Sequence, residues 1–307
     1  MIYDFVIMGG GCAGLGAAIY AARFNLKTIV LAKRIGGLIQ DTHLVENWPG
    51  IISSTGLELI NQLVAHVKNY KVPIKEEEVI DIKKEGGVFS VKTNKKTYQS
   101  HTILFATGTM RKPLDVPGEK EFRNKGVSYC ATCDGYLFKD KIVGVVGGSD
   151  SAAKEALLLS EYAKKVYIIY RKEKIRAEPI NYDRVKKNKK IKIINNTNVV
   201  EIKGDKFIKS VIFDKPYMGK KEVLIGGLFI EIGHIVESAL AKKLGVKLNE
   251  KQEIVINENS ETNIPGIFAA GDCTHRPFKQ AITGAAEGTI AAFSAYNYIG
   301  NKIKSEC

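Results

Sequence analysis

One pattern occurs twice in this chain, and the repeat leaves few folds open. The first stretch, FVIMGGGCAGLGAA, is an apolar run, a glycine-rich turn and an alanine-rich helix start. Gly9, Gly11 and Gly14 supply the spacing G-x-G-x-x-G. The stretch IVGVVGGSDSAAKEA repeats it, with Gly147 standing over Gly9 and Ala152 over Gly14. The register continues without a gap, because Thr28 to Leu31 falls on Val166 to Ile169 and Lys33 falls on Arg171. One such fingerprint is a weak signal; two in-register β-α-β units are a strong one. The first glycine permits a tight turn, the second lets backbone approach a pyrophosphate, and the third packs helix on strand. The helix N-terminus then offers free N–H groups and positive dipole charge to the phosphates. Two units imply two dinucleotides, against the plainer reading of two glycine turns in an α/β fold without ligand.

The remaining elements fall around these units. HTILFATGT (101–109) and GIFAAGDC (266–273) are apolar strands ending in glycine, as buried parallel strands do before ligand loops. A helical run, QAITGAAEGTIAAFSAY, follows the second of them. KPLDVPGE (112–119) reads as a linker and GGLFIEIGH (226–234) as the return crossing. The expected fold class is α/β, with two Rossmann-like dinucleotide-binding domains, the second inserted into the first. Residues 1–113 with 235–307 form the first domain and 114–234 the second; a chain of 307 residues can bury a core in each.

Composition removes several functions. The formal charge is +13, yet the densest basic stretch, RVKKNKKIK (184–192), has no interleaved aromatics and fits no nucleic-acid module. That charge suits a lysine-rich surface that steers anionic cofactors or an acidic protein partner. No apolar run approaches the ~18 residues of a membrane span. The chain enters a strand at once, with no basic leader region. A cytoplasmic protein without membrane contact is expected.

Five cysteines are too few for a disulfide framework. Cys12 in the glycine loop and Cys273 at a strand end read as small buried residues, and Cys307 cannot form a prenylation box. Only SYCATCDG (128–135) forms a pattern, with Cys130 and Cys133 two residues apart and Asp134 behind them. Zinc needs four ligands, and the five histidines show no ligand spacing. A redox dithiol needs a loop that closes, a stabilised thiolate and a proton donor. Cys130-Ala-Thr-Cys133 supplies the loop and Asp134 the candidate acid, the competing reading being a turn or N-cap residue. Arg171, Lys172 and Arg176 follow the strand VYIIY where an adenosine ribose belongs. Basic residues there suit a 2′-phosphate, although a solvated basic turn has the same composition.

GGGCAG, VENWPG, ATGT, YCATCDG, GGSDSA, YRKEKIRAEP and AAGDC followed by KQAITGAAEG occur in one order and spacing. In these motifs, over essentially its whole length, the chain resembles the low-molecular-weight thioredoxin reductases. The resemblance implies a homodimeric flavoenzyme with an FAD domain and an inserted NADPH domain. Electrons would pass from NADPH through FAD to the Cys130–Cys133 disulfide, then to thioredoxin or a thioredoxin/glutaredoxin-like protein. FAD would be held by Gly9, Gly11 and Gly14, by Glu46 and Asn47, by Thr107 and Gly108, and by Gly271 and Asp272. Lys279, Gln280 and Ala281 would complete that site, with Asp272 accepting from ribityl hydroxyls and a helix N-terminus near Gln280 facing the flavin. Trp48 serves either this site or the core. NADPH would take Gly147, Gly148, Ser149, Asp150, Ser151 and Ala152, with Arg171, Lys172 and Arg176 at the ribose. Cys133 would be the flavin-side thiol and Cys130 its partner; which of them attacks the substrate disulfide stays open.

Two stretches depart from the family pattern: Ser149 stands in place of the middle glycine, and GHIVES replaces the more usual G-H-x-P-N-T. Ala32 and Lys33 stand where many dinucleotide folds carry an acid, an absence the family tolerates. The altered GGSDSA loop keeps a second enzyme reading alive, a flavin-dependent dithiol oxidase or a reductase fed by another donor such as reduced ferredoxin. A non-catalytic FAD-binding or redox-sensing protein is a different class, and the retained Cys130, Cys133 and Asp134 argue against it.

Overall fold

The structure is a computed structural model that describes residues 1–306; Cys307 lies outside the described residues. The chain divides into two compact units, Met1–Met110 with Val236–Cys307, and Arg111–Ile235.

The first unit is built on a seven-stranded sheet. Its order is Ile74–Glu76, Thr28–Ile35, Ile2–Gly10, Thr97–Phe105, Val88–Thr93, Val79–Glu85, with Ile267–Ala269 pairing beside the end of Thr97–Phe105. The pairs among the first four strands, and the pair with Ile267–Ala269, are parallel. The strands Val88–Thr93 and Val79–Glu85 turn back antiparallel. Because side chains alternate across a strand, one apolar run supplies two cores. Phe5 and Ile7 pack with Leu15, Ala17 and Ala291 of the helices Cys12–Arg23 and Ala281–Glu306. Val6 and Met8 pack on the opposite face with Ile82, Phe89 and Ala241. The helix Gly56–Asn69 begins with a capping box, in which Thr55 accepts from Glu58 N and the Glu58 carboxylate accepts from Thr55 N.

The second unit repeats the arrangement with five parallel strands, in the order Ile191–Ile194, Lys165–Ile169, Ile142–Val146, Gly227–Ile230, Val127–Ser128. Val143 and Val145 face the helix Asp150–Tyr162 through Ala152, Ala156 and Leu159. Val146 and Leu228 face Val211 and Phe213 of an antiparallel three-stranded sheet, Val199–Gly204, Ile208–Tyr217 and Lys220–Leu224. Within the segment expected as the return crossing, Gly227–Ile230 is therefore a strand of the five-stranded sheet. LFI is wholly buried, as a strand between two neighbours must be, and the crossing begins only at His234. The crossing strands Thr109–Arg111 and His234–Val236 pair as a two-stranded sheet. The 112–119 linker is pinned within the second unit, because the buried Glu119 carboxylate accepts from Leu114 N, Asp115 N and the Tyr129 hydroxyl. Among the described residues, no helix is long and apolar enough to cross a membrane.

Candidate active site

The glycine loop of the first unit is closed on its inner side and open on its outer side. Gly9 adopts φ +126°, and a Cβ there would lie 2.0 Å from the Ala106 carbonyl oxygen. A Cβ on Gly14 would lie 1.9 Å from the Gly9 carbonyl oxygen, so strand and helix meet at a distance only glycine allows. Gly11 has nothing nearer than 3.9 Å and no side chain caps the helix that follows it. That open turn, with the N–H groups of the first helical turn, fits a pyrophosphate.

Three further segments of the same unit converge there. A Gly271 Cβ would meet the Ala13 methyl at 3.0 Å. Burial first, and then the Asp272 charge, push the Cys12 thiol up to about 12. Asn47 donates to Gln280 at 3.1 Å across 233 residues, joining the VENWPG loop to the start of the helix Ala281–Glu306. Thr107 donates to the Glu237 carbonyl at 2.7 Å, and the Gly108 carbonyl accepts Glu237 N at 3.1 Å. Glu46 is exposed in the same loop, and Trp48 is half-buried against the core around Leu15. Lys279 does not present its ammonium outward. It donates to Glu253 at 2.5 Å and to the carbonyls of Asp272 and Thr274 at 3.0 Å, so it braces the Asp272 turn from behind. Sequence reasoning missed Glu287, whose carboxylate accepts Gly271 N at 2.8 Å and which burial holds above the ordinary carboxyl range. Its helical spacing was visible; its contact with a turn 16 residues away was not. Cys12 and Cys273 are both buried free thiols held protonated by burial, as inert packing residues are.

The second fingerprint has the same backbone and different contents. Ser149 caps its helix at φ −85°, ψ 177°, and Gly11 caps the first at φ −83°, ψ −171°. Both are extended conformations open to any residue, so serine causes no strain. Its hydroxyl accepts Ala152 N at 3.5 Å, competing for an N–H that would otherwise serve a ligand. Gly147 and Gly148 leave no room for a side chain, since a Cβ would stand 2.1 Å from the Glu231 carbonyl oxygen at the first and 2.4 Å from the Tyr170 ring at the second. The Gly148 carbonyl accepts Arg176 N at 2.6 Å, which draws one of the three basic residues onto the loop. Arg171, Lys172, Arg176 and Ser151 are exposed. Asp150 accepts Glu178 N at 2.8 Å and Asn181 Nδ2 at 2.9 Å, and Lys154 pairs with it at 3.0 Å. Burial pushes its carboxyl up, but these bonds outweigh burial and hold it below the ordinary range. Off the carboxyl ends of Lys165–Ile169 and Ile191–Ile194 lies a cavity of about 420 Å³ lined by Glu173, Lys174, Ile175, Tyr182, Ile193 and Asn195.

Cys130 and Cys133 are joined by a disulfide with their Cα atoms 5.3 Å apart. Cys130 caps the short helix Ala131–Asp134, and its sulfur accepts Cys133 N at 3.1 Å. Ser128 carries no signal of its own in the sequence. Its hydroxyl donates to Asp134 Oδ2 at 2.6 Å and accepts Cys130 N at 3.1 Å, tying the acid to the dithiol backbone. Asp134 is thus positioned rather than loose, and Asp134→Asn is expected to slow dithiol–disulfide interchange by about ten- to a thousandfold. Bound flavin per chain, read by absorbance, should stay at the wild-type ratio. An interchange rate within twofold of wild type would return Asp134 to the role of a turn residue.

A family model described as pyridine nucleotide-disulphide oxidoreductase matches residues 3–288. The chain belongs to that family. It is 38% identical to thioredoxin reductase of Bacillus subtilis, covering 97% of this chain and 95% of that one. Thioredoxin reductase of Lactococcus lactis superposes with a TM-score of 0.93 at 36% identity, covering 97% and 99% of the two chains. A ferredoxin-flavin thioredoxin reductase of Clostridium acetobutylicum superposes at 0.53 with 31% identity, covering 98% and 99%. The resemblance in the sequence motifs thus extends over nearly the whole chain, and so does the two-domain α/β fold. Membership of this oxidoreductase family carries with it the use of a flavin and a pyridine nucleotide.

Proposed function

We propose that the protein is an NADPH-dependent, FAD-containing thioredoxin-disulfide reductase acting through Cys130 and Cys133. The observation that carries this reading is a disulfide in the unit that holds the second fingerprint, with a complete pyrophosphate loop in the other. FAD, when bound, carries two electrons between the nicotinamide and the disulfide. Gly9, Gly11 and Gly14 would hold its pyrophosphate, which FMN lacks, while Asp272 and the Asn47–Gln280 pair orient its remainder. Residues 1–113 with 235–307 are the FAD domain and 114–234 the NADPH domain. In the latter, Gly147 to Ala152 would take the pyrophosphate and the cavity beside Glu173 and Tyr182 the adenosine. Ser128 holds Asp134 in place to give a proton to the departing thiol.

The partner is thioredoxin or a thioredoxin/glutaredoxin-like protein. Tyr136 and Leu137, both more than half exposed directly after the dithiol, offer it an apolar contact. A homodimer is favoured by a second exposed aromatic group on the first unit. Tyr20, Phe293 and Tyr296 are 43%, 52% and 45% exposed, and the Phe24 ring stacks on Tyr296 at 5.1 Å. A reducing, cytoplasmic compartment is where such a dithiol would turn over.

Anaerobic mixing of the purified yellow protein with NADPH tests the reading, and rapid bleaching of the flavin band is the expected result. Arg171→Ala with Lys172→Ala should then raise the Michaelis constant for NADPH about ten- to a hundredfold, two charge-assisted contacts weakened by their exposure. The constant for NADH should hardly move. A second reading, a reductase fed by reduced ferredoxin or another donor, is favoured by one specific feature. The turn of the second unit has its Gly148 face against Tyr170, a hydroxyl on Ala152 N and an ionised Asp150 at the helix start. No bleaching by NADPH, with bleaching by reduced ferredoxin, would decide for it.

A further inference from the structure

Beside the dithiol, the second unit gathers two acids on one cation. Glu155 lies on the helix Asp150–Tyr162, Glu231 directly after the strand Gly227–Ile230, and Arg111 at the end of the first crossing strand. Arg111 Nη1 stands 2.6 Å from Glu231 Oε1 and 3.6 Å from Glu155 Oε1. The three side chains are 18%, 6% and 14% exposed, in the order Arg111, Glu231, Glu155. One guanidinium balances one carboxylate, and a second negative charge buried with it would stand uncompensated.

Glu155 is the member that reaches the redox loop. Its Oε1 accepts the backbone N–H of Ala131 at 3.3 Å, and Ala131 lies between the two cysteines. Its Oε2 is buried and meets no donor among the described residues. A buried carboxylate oxygen needs a donor, whereas a carboxylic acid brings its own proton. Burial first, then the charge of Glu231, raise Glu155 well above the ordinary carboxyl range, and a hydrogen bond between the two carboxyls acts in the same direction. Arg111 and the Ala131 N–H oppose the shift without cancelling it. The other charged groups nearby are engaged elsewhere, Asp150 with Lys154 on the same helix and Asp134 of the short helix with Ser128 of the strand Val127–Ser128.

We propose that Glu155 and Glu231 share one proton over Arg111, and that Glu155 couples this proton to the dithiol through the Ala131 amide. Glu155 is then a positioning residue, and the inference rests on Cys130–Cys133 being the redox centre. Protonated, Glu155 adds no negative charge next to sulfurs that become thiol and thiolate. Ionised, it sets a carboxylate on the backbone between them and opposes the thiolate. In the exchange with a small dithiol such as dithiothreitol, the Cys130–Cys133 bond breaks. Two electrons and one proton pass to its sulfurs, leaving a thiol and a thiolate; the reagent releases its other proton to solvent and closes into its own disulfide.

The test is the equilibrium of this exchange in the flavin-bound protein, from about pH 5 to 9, read by alkylating and weighing the Cys130 and Cys133 peptides. Wild type should show a step, with dithiol formation about tenfold less favourable above the pH at which Glu155 ionises, or about 30 mV. Glu155→Gln should lack the step and follow the low-pH limb throughout. Glu231→Gln leaves the Ala131 contact in place and should move the step down by about one pH unit or more, because the like charge that raises Glu155 is gone. A wild-type curve without a step, a step retained in Glu155→Gln, or an unmoved step in Glu231→Gln overturns the proposal. Should Glu155→Gln fail to fold, judged by bound flavin and circular dichroism, Glu231→Gln decides alone. Disulfide reductase activity that survives Cys130→Ser would reveal a different fault, in the redox assignment itself.

Discussion

Replacing either Cys130 or Cys133 by serine is expected to abolish protein-disulfide reduction while leaving flavin reduction by the nicotinamide intact. The two steps use different atoms. Hydride transfer needs only the two dinucleotides, whereas passing electrons to a protein needs a dithiol that can close into a disulfide. Serine keeps the size of cysteine and the cap of the Ala131–Asp134 helix, so the loop should survive. The loss should therefore exceed about a thousandfold in turnover with a protein disulfide, with no matching loss in the anaerobic bleaching rate. Stopped-flow absorbance at the flavin band and a coupled disulfide assay separate the two. If either variant reduced a protein disulfide at the wild-type rate, the Cys130–Cys133 bond would be a structural staple.

Gly14→Ala should empty the flavin site and destabilise the first unit by about 3 kcal/mol. The added carbon would lie 1.9 Å from the Gly9 carbonyl oxygen, with the Ile7 side chain at 3.2 Å. The main obstacle is backbone in the middle of a sheet, which cannot rotate aside as a side chain can. Relief requires the helix Cys12–Arg23 to lift from the strand Ile2–Gly10, which withdraws its N-terminal N–H groups from the pyrophosphate. The second unit provides an internal control, because alanine is native at the matching Ala152. Ala152→Gly should keep the fold and cost about 1 kcal/mol, the ordinary penalty of glycine in a helix. Flavin absorbance per chain and urea unfolding of both variants measure the contrast. A Gly14→Ala protein that is fully yellow and as stable as wild type would mean that the loop can relax where its geometry says it cannot.

What could be read from the sequence shares one property, that its cause is local. Glycine at 9, 11 and 14, an apolar run before them and alanines after them dictate strand, turn and helix within about fifteen residues, the span in which such patterns act. The same holds for the Cys130–Cys133 loop and for the helix expected near Gln280, which runs Ala281–Glu306. The duplicated unit could be found because its two copies keep their register.

Contacts between distant residues of ordinary type were hidden. Asn47 with Gln280, Glu287 with the Gly271 amide, and Glu155 with Arg111 and Glu231 all join polar groups of common kinds. Nothing in their composition marks them until folding removes water and leaves each needing a partner. Glu231 leaves the trace of a charged residue closing the apolar run LFI, which in the sequence reads as a crossing segment. Its true place became clear only when sheet pairing put Gly227–Ile230 beside Ile142–Val146. Backbone conformation and hydrophobic period are local, so the two nucleotide-type units, their order and the redox loop are legible in the chain alone. Tertiary structure alone decided which charges meet behind that loop, because a buried carboxyl takes its partner from whatever the packing brings within reach.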